Sequence, residues 1–318
     1  VANTVSSFYQ TLVAATTEAS QALVGPNAFL DSIYIDFKPE AASIGQTLNV
    51  ALPNGGAPPT SSVADGGVAD PVFTDISFTT EAIIFSQHPQ YNYIIRDFEQ
   101  FNSPLAIRQI FMDAAIKAVA EYADTQVAAL FTTGNFTTNT AIAGTGNGGG
   151  TNGDSIAVKD FLKGQAALLS QRVNVNDVQN MTLIQHPVPY TNLLADTAWT
   201  QQSIASELVA ERVRTTGEIR VGFGSTIAHD LFAPYNGGTT TYTGCYFHRW
   251  AVALATRPLP PPDAKVADYM YVMYKGIPLR ITLCWSVIHN GYCVLVEAGY
   301  GLKVVRQNMG QLFTTVGA

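Results

Sequence analysis

A 28-residue stretch, PLAIRQIFMDAAIKAVAEYADTQVAALF at positions 104–131, constrains this chain more than any other segment. Ile107, Ile110, Phe111, Ala114, Ala118, Tyr122 and Leu130 recur at helical spacing, with Arg108, Asp113, Lys117, Glu121 and Asp124 between them. Ser103 can cap the first turn, and Pro104 suits the first helical position because its missing N–H has no partner there. Gly134 follows the end. At 1.5 Å per residue such a helix spans about 42 Å, longer than a small domain is wide. It predicts a spine on which other elements rest.

Ahead of the spine the pattern changes period. Residues 4–24 carry Val5, Phe8, Leu12, Ala15, Ala19 and Leu23 at helical intervals, closed by Gly25 and Pro26, and predict an amphipathic helix. Residues 29–37 read as extended. Residues 44–52 alternate, with Leu48, Val50 and Leu52 on one face, and VFTDISFTTEAIIF at 72–85 supplies a partner strand. The Gly- and Pro-rich run 53–70 between them has no apolar period and reads as a loop tip. Two strands of about 9 to 14 residues make an arm roughly 30 to 45 Å long. An isolated two-stranded ribbon is marginal in water, so the arm needs a surface to lie on.

Behind the spine, the polar run from Gly134 to Asp154 reads as a flexible link. Asp154 and Ser155 can cap a helix at about 156–173 with Val158, Phe161, Leu162, Gln165, Leu168 and Leu169 on one face. MTLIQH at 181–186 reads as a buried strand, followed by short helices at about 188–196 and 201–213 and a Gly-rich turn and strand ending at Asp230. From Ile277 to Val287 every odd position is apolar, a strand period. Asn290-Gly291 suits a two-residue hairpin loop. That register sets Cys293 opposite Ile288 and Cys284 opposite Glu297, which disfavours a disulfide between the two.

Charge narrows the function classes. Only 13% of the 318 residues are charged, against roughly 25% in soluble chains, while 47% are apolar. A surface this poor in charge is either built from Thr, Asn, Gln, Ser and Gly or covered by other subunits. The net charge of -7 argues against groove-reading nucleic-acid binding. No 18-residue apolar run is present, so no spanning helix is expected. Val1–Thr4 shows no signal-peptide pattern, and Cys245, Cys284 and Cys293 are too few for a disulfide framework, so the chain reads as intracellular in origin. The five histidines fall at no metal-ligand spacing.

Catalytic motifs are weak. Gly144, Gly146 and Gly149 satisfy GxGxxG, but no apolar strand precedes them, which leaves a loop as the better account. GFGST at 222–226 has Gly224 where a nucleophile elbow needs serine, so Ser225 is a poor nucleophile, and Gly222 and Gly224 suit a turn with positive φ. His229 and Asp230 are neighbours on a strand and point to opposite faces. Tyr91, Tyr93, Phe98 and Phe101 read as core aromatics.

The order of these elements, with the phrases TTEAIIFSQHPQYNYIIRDFEQFNSPLAIRQIFMDAAIKAVAEYADTQVAALF (79–131), FHRWAVALATRPLP (247–260) and GIPLRITLCWSVIHNGYCVLVEAGYGLKVVRQNMG (276–310), resembles tailed-bacteriophage major capsid proteins of the HK97-like fold. The resemblance implies an α+β chain with an N-arm (1–30), an extended β-hairpin E-loop (31–88), a peripheral domain (89–174) holding the spine helix, a mixed α/β axial domain (175–245), and C-terminal strands (246–318) shared between the two domains. It implies self-assembly into pentamers and hexamers that form an icosahedral shell around double-stranded DNA. Encapsulin-like nanocompartments share the fold and are the alternative.

Assembly contacts are then expected at Phe8 and Leu12 of the N-arm, at Leu48, Val50, Leu52, Asn54, Pro58, Asp65 and Phe78 of the E-loop, and at Glu211, Arg212 and Arg214 of the axial domain. The implied partners are other copies of the chain, a separate scaffolding protein, a portal, a decoration protein, and DNA held weakly and without sequence preference. The implied location is the virion, assembled in the host cytoplasm, with no membrane, cofactor, metal or enzymatic activity. No fused scaffolding segment is expected ahead of Val1. Some family members join an arm lysine to a neighbour's asparagine, but the arm's one lysine, Lys38, sits at its base. Boiled particles should therefore run as a monomer band on denaturing gels, and a ladder of multimers would contradict this.

Overall fold

The fold, taken from a computed structural model, is described for residues 27–37, 47–53, 78–96, 107–146, 153–195, 219, 221–262 and 267–316. Two sheets carry it. A six-stranded sheet runs β1 (Tyr34–Phe37), β11 (Val252–Arg257), β14 (Gly291–Val304), β13 (Ile277–Ser286), β12 (Asp268–Tyr274), with β4 (Gln90–Arg96) also paired to β14. A seven-stranded sheet runs β5 (Ile142–Ala143), β15 (Gly310–Val316), β10 (Thr241–His248), β6 (Met181–Gln185), β8 (Ser225–His229), β7 (Val221–Gly222), with β9 (Tyr235–Asn236) on β10. A separate ribbon joins β2 (Thr47–Pro53) to β3 (Phe78–Ile84). The helices are α1 (Ala28–Ser32), α2 (Ile107–Ala128), α3 (Val158–Ser170) and α4 (Pro187–Ala195).

The 14-residue strand β14 organises the first sheet. Its first half lies between β4 and β13, and its second half pairs with β11. Two of its glycines admit close neighbours. A Cβ at Gly291 would stand 2.5 Å from Ile95 O, and one at Gly301 2.5 Å from Ile84 O, both closer than any carbon tolerates. After a first passage through α2, from β4 to β5, the chain crosses between the sheets at two short turns, Arg249–Ala251 and Gln307–Met309. Val305 and Arg306 N–H groups both donate to Ala251 O, at 2.8 and 3.2 Å, so the two crossings are tied together.

One core serves both sheets. Phe131 lies 5.4 Å from Phe29, 5.2 Å from Phe136 and 4.6 Å from Phe247, and Leu254, Ile281 and Tyr300 of the first sheet pack in the same cluster as Ile184 and Leu312 of the second. A second cluster, with Phe161, Leu168, Leu183, Tyr246 and Phe313, fills the space between α3 and the seven-stranded sheet.

The spine helix is present, over 107–128 within the described residues, about 33 Å long. Its buried face is not the one the large apolar residues predict. Ala115, Val119, Ala120, Ala123 and Val127 are buried, while Phe111 and Tyr122 are half exposed. Small residues let the helix approach the sheet closely; the bulky ones would hold it off.

Other expectations are corrected. Residues 28–32 are helical, not extended, because Asp124 and Asp230 accept the N–H groups of Leu30 and Ala28. Within the described residues the ribbon strands pair over seven residues each, about 23 Å. Helix α3 has Ala157 at its N-cap with no side-chain bond, because Ser155 is buried and its backbone pairs with Gly146. The glycine run is no loose link where described: Gly144 and Gly146 are buried, and their N–H groups donate to Thr314 O and Ser155 O. The β7–β8 turn takes positive φ at Phe223 and Gly224, not at Gly222. Tyr91 is 42% exposed on β4, although Tyr93 on the same strand packs against the core and Ile95 is buried. The N-terminal helix, the loop tip beyond Pro53, Phe98, Phe101 and the helix at 201–213 lie outside the described residues.

Two buried carboxyls meet at the junction of α1, α2 and β8. Asp124 Oδ1 accepts from Leu30 N at 2.9 Å, while Asp230 accepts from Ala28 N at 2.6 Å and Phe232 N at 2.9 Å. Burial, reinforced by the Asp230 carboxylate beside it, pushes Asp124 up to about 9, against weaker opposing pulls from the Leu30 N–H and from Lys275. Asp124 Oδ2 faces no donor, and the retained proton lets it donate to Asp230. An unfolded aspartate titrates near 3.9. Between about pH 4 and 9 the folded chain therefore holds a proton that the unfolded chain lacks, so this group's contribution to stability falls as pH rises. Asp124→Asn, which keeps a donor and an acceptor, should flatten the decline of melting temperature between pH 6 and 9. Parallel curves for variant and wild type would contradict the shared proton.

Candidate assembly surface

Strand β13 is apolar at every odd position, so one of its faces is apolar along its whole length. Ile277, Leu279 and Ile281 of that row are buried in the core, but Trp285 is half exposed. The strand outruns what the core can cover. Beyond it, Val287 is 77% and Ile288 89% exposed, at the tip of the β13–β14 hairpin. Trp285 packs edge-on against Tyr292 across the hairpin at 4.9 Å, so the tip is shaped before anything binds it. Burying either Val287 or Ile288 against a partner would contribute about 1.5 to 3 kcal/mol.

The sheet's free edge has the same character. Strand β12, DYMYVMY, exposes Tyr269, Met270, Tyr271 and Met273 and has no strand on its outer side among the described residues. Edge strands of monomers usually carry lysine, proline or a bulge that prevents pairing, and β12 carries neither lysine nor proline. Beside it, an apolar hollow of about 180 Å³ is lined by Tyr93, Met112, Ile281, Leu283 and Val294 among others. Burial, with Tyr91 adding to it, pushes the Tyr93 hydroxyl up to about 12, so it stays protonated.

The ribbon is rooted on the opposite part of the sheet. Ile83 packs against Ala253 and Ala255, and Lys303 pairs with Glu81 at 2.6 Å. Gln87 pairs with Tyr300, and His88 Nε2 lies 2.9 Å from Glu297 Oε2. Glu297 is buried and accepts from Arg280 Nε at 2.7 Å, while Arg280 also donates to Pro260 O. The base of the ribbon is thus tied to β13, β14 and the proline-rich segment, while β2 and β3 pair only with each other among the described residues.

No protein-family model and no curated protein matches the sequence. Solved structures match over nearly the whole length. A chain from Mycobacterium phage Che8 superposes with a TM-score of 0.62 at 14% identity, covering 91% of each chain. The capsid of cyanophage P-SCSP1u gives 0.59 at 13% identity, over 91% of this chain and 88% of that one. The SrpI encapsulin complex from Synechococcus elongatus PCC 7942 gives 0.56 at 12% identity, over 93% and 89%. This is the HK97-like capsid fold.

Within the HK97-like fold, few of the expected contact residues fall where their surroundings are described. Leu48, Val50 and Leu52 lie on β2 opposite Ile83, Glu81 and Thr79, and Phe78 lies opposite Pro53. Phe8, Leu12, Asn54, Pro58, Asp65, Glu211, Arg212 and Arg214 lie outside the described residues. The exposed residues at 269–273 and 285–288 were not among the candidates. Their signal was present: two β-branched residues, Val287 and Ile288, stand in a loop where turn-forming polar residues are usual.

The weak catalytic motifs resolve into structural roles. Ser225 is buried with its hydroxyl 2.9 Å from Tyr246 Oη. His229 stacks on Tyr190 at 4.8 Å and lines a cavity of about 560 Å³ that Ser32 also lines, but Ser32 Oγ donates to Ala28 O and not to His229. Asp230 is occupied by backbone N–H groups. Among the described residues no cluster of His, Cys, Asp and Glu is arranged to hold a metal, and no helix is long and apolar enough to cross a membrane.

Val287→Asp combined with Ile288→Asp should change subunit stability by no more than about 0.5 kcal/mol, since both side chains are already in solvent. The same variant should fail to form particles. Calorimetry and sedimentation read the two effects, and wild-type particle yield would refute the tip as a contact.

Proposed function

We propose that this chain is a major capsid protein that assembles, as pentamers and hexamers of itself, into an icosahedral phage head shell around double-stranded DNA. The observation that carries the reading is the match to the HK97-like capsid fold over about nine-tenths of the chain. The apolar tip and unguarded edge strand support it, because both are costly in a monomer and useful in a lattice of copies. Low charge density fits a surface mostly covered by copies, and a net charge of -7 fits a lining that does not grip DNA. The role is structural and not enzymatic, and the place is the virion, after assembly in the host cytoplasm. Scaffolding protein, portal and decoration protein are the further partners this reading calls for.

On this reading the six-stranded sheet with α2 is the peripheral domain, and the seven-stranded sheet with α3 and α4 is the axial domain. Helix α3 packs on β15 through Phe161 and Phe313, which supports counting residues 158–170 with the axial domain instead of the peripheral one. Residues 1–30 remain the N-arm, 31–88 the E-loop, and the strands after residue 246 divide between the domains.

The match to the SrpI encapsulin supports one second reading, a cellular nanocompartment shell. Electron microscopy with light scattering on the purified protein tests both. Closed uniform shells or free pentamers and hexamers are expected. Nuclease-protected DNA inside particles recovered from their source favours the phage shell, and a protein cargo favours the nanocompartment. Monomers alone, persisting on co-expression with candidate scaffolds, would overturn both.

A further inference from the structure

The β13–β14 hairpin does not turn at Asn290-Gly291. Its loop is the four residues Val287–Asn290, closed by Ser286 opposite Gly291, with positive φ at Asn290. This shifts the register from the one the Asn-Gly pair predicts. Trp285 comes opposite Tyr292, and Cys284 comes directly opposite Cys293. At Gly291 the β4 backbone lies so near that a side chain would meet the Ile95 carbonyl, and the loop takes up the extra residues.

Directly opposed residues of an antiparallel pair hold their Cα atoms about 4.5 or 5.5 Å apart, and both values lie within the range a disulfide spans. The two side chains share one face of the sheet, the face away from the buried residues Val294 and Val296. Both thiols are free and partly exposed, unlike the fully buried Cys245. Burial, together with the neighbouring Cys293 sulfur, raises the Cys284 thiol above the ordinary thiol range. A raised thiol is a slow nucleophile, which fits a structural staple and not a catalytic cysteine.

We propose that Cys284 and Cys293 form a redox site that closes to a cross-strand disulfide when the chain meets a small-molecule disulfide of the glutathione class. One cysteine loses its proton and its thiolate attacks a sulfur of the small disulfide, forming a mixed disulfide and releasing one small thiolate. The second cysteine, deprotonated in turn, attacks the protein sulfur of that mixed disulfide, forming the S–S bond and releasing the other small thiolate. The two cysteines are oxidised by two electrons, the small disulfide is reduced to two thiols, and the two protons pass to the departing thiolates. The pair stays reduced in a reducing compartment and closes outside it. Closure braces the hairpin directly beneath Trp285, Val287 and Ile288.

The experiment uses the folded full chain and does not depend on shell formation. The protein is incubated with oxidised glutathione, quenched with an alkylating agent, denatured and alkylated again with a second agent, and its intact mass and peptide map are read. The expected result is loss of two alkylatable thiols, a Cys284–Cys293 linked peptide, Cys245 modified only after denaturation, and a melting temperature raised by about 3 to 6 °C. Cys284→Ser should instead retain a glutathione adduct at Cys293, and Cys245→Ser should close as wild type does. Retention of both free thiols after prolonged incubation at pH 8.5, a stable double glutathione adduct, or a linkage through Cys245 would each overturn the proposal.

Discussion

The structure hangs on a five-residue helix held by two carboxyl groups. Helix α1 has no side-chain cap of its own, and its leading N–H groups go to Asp124 of the spine and Asp230 at the end of β8. Each acid comes from a different part of the fold, so the helix fastens the spine to the seven-stranded sheet. Phe29 and Leu30 then enter the core where Phe131, Phe136 and Phe247 meet. Two buried anions side by side would repel, and a single shared proton turns the repulsion into a hydrogen bond. The junction is therefore strong while Asp124 keeps its proton. Arg249 Nε, donating to Ile33 O at 3.2 Å, closes the other end of the same segment.

From that junction the structure thins outward. Near it, both sheets share one core and the two crossings are bonded to each other. Farther along β13 the buried row gives way to Trp285, Val287 and Ile288, and at the other side of β14 the ribbon leaves the sheet on the Glu297, Arg280 and His88 contacts. The main core reaches one face of the edge strand through Val272 and Tyr274 and leaves Val287 and Ile288 of the tip uncovered, while Ile83 of the ribbon joins only a small separate cluster. On the proposed reading these are the parts available to neighbouring copies.

Much of this was legible in the sequence. The spine, the buried strand 181–185, the ribbon and the alternating strand from Ile277 all announce themselves through period. What was misread shares one cause: periodicity shows that a face is apolar without showing which neighbour it meets. In α2 the bulky residues outline a stripe, yet the sheet selects the alanine face, because closeness depends on small side chains. Asp124 looks like a solvent residue until α1 is placed over it. The hairpin register was read from the best local turn, Asn290-Gly291, and was overridden by the approach of β4 to Gly291. The short helix at 28–32 has no period of its own and exists because distant acids accept its N–H groups.

The division between a self-sufficient junction and dependent extremities has a consequence for how such a chain assembles. If the tip and edge were needed for folding, each subunit would have to fold onto its neighbours, and errors in the lattice would be errors in the fold. Here the buried clusters contain none of the exposed residues 285–288, so the fold of the subunit does not depend on covering them. Contacts made by a few exposed apolar residues are individually weak, and weak contacts can break and re-form until a closed shell satisfies them all. On the proposed reading the low charge of the chain serves the same end, since few ion pairs would have to be desolvated as copies meet.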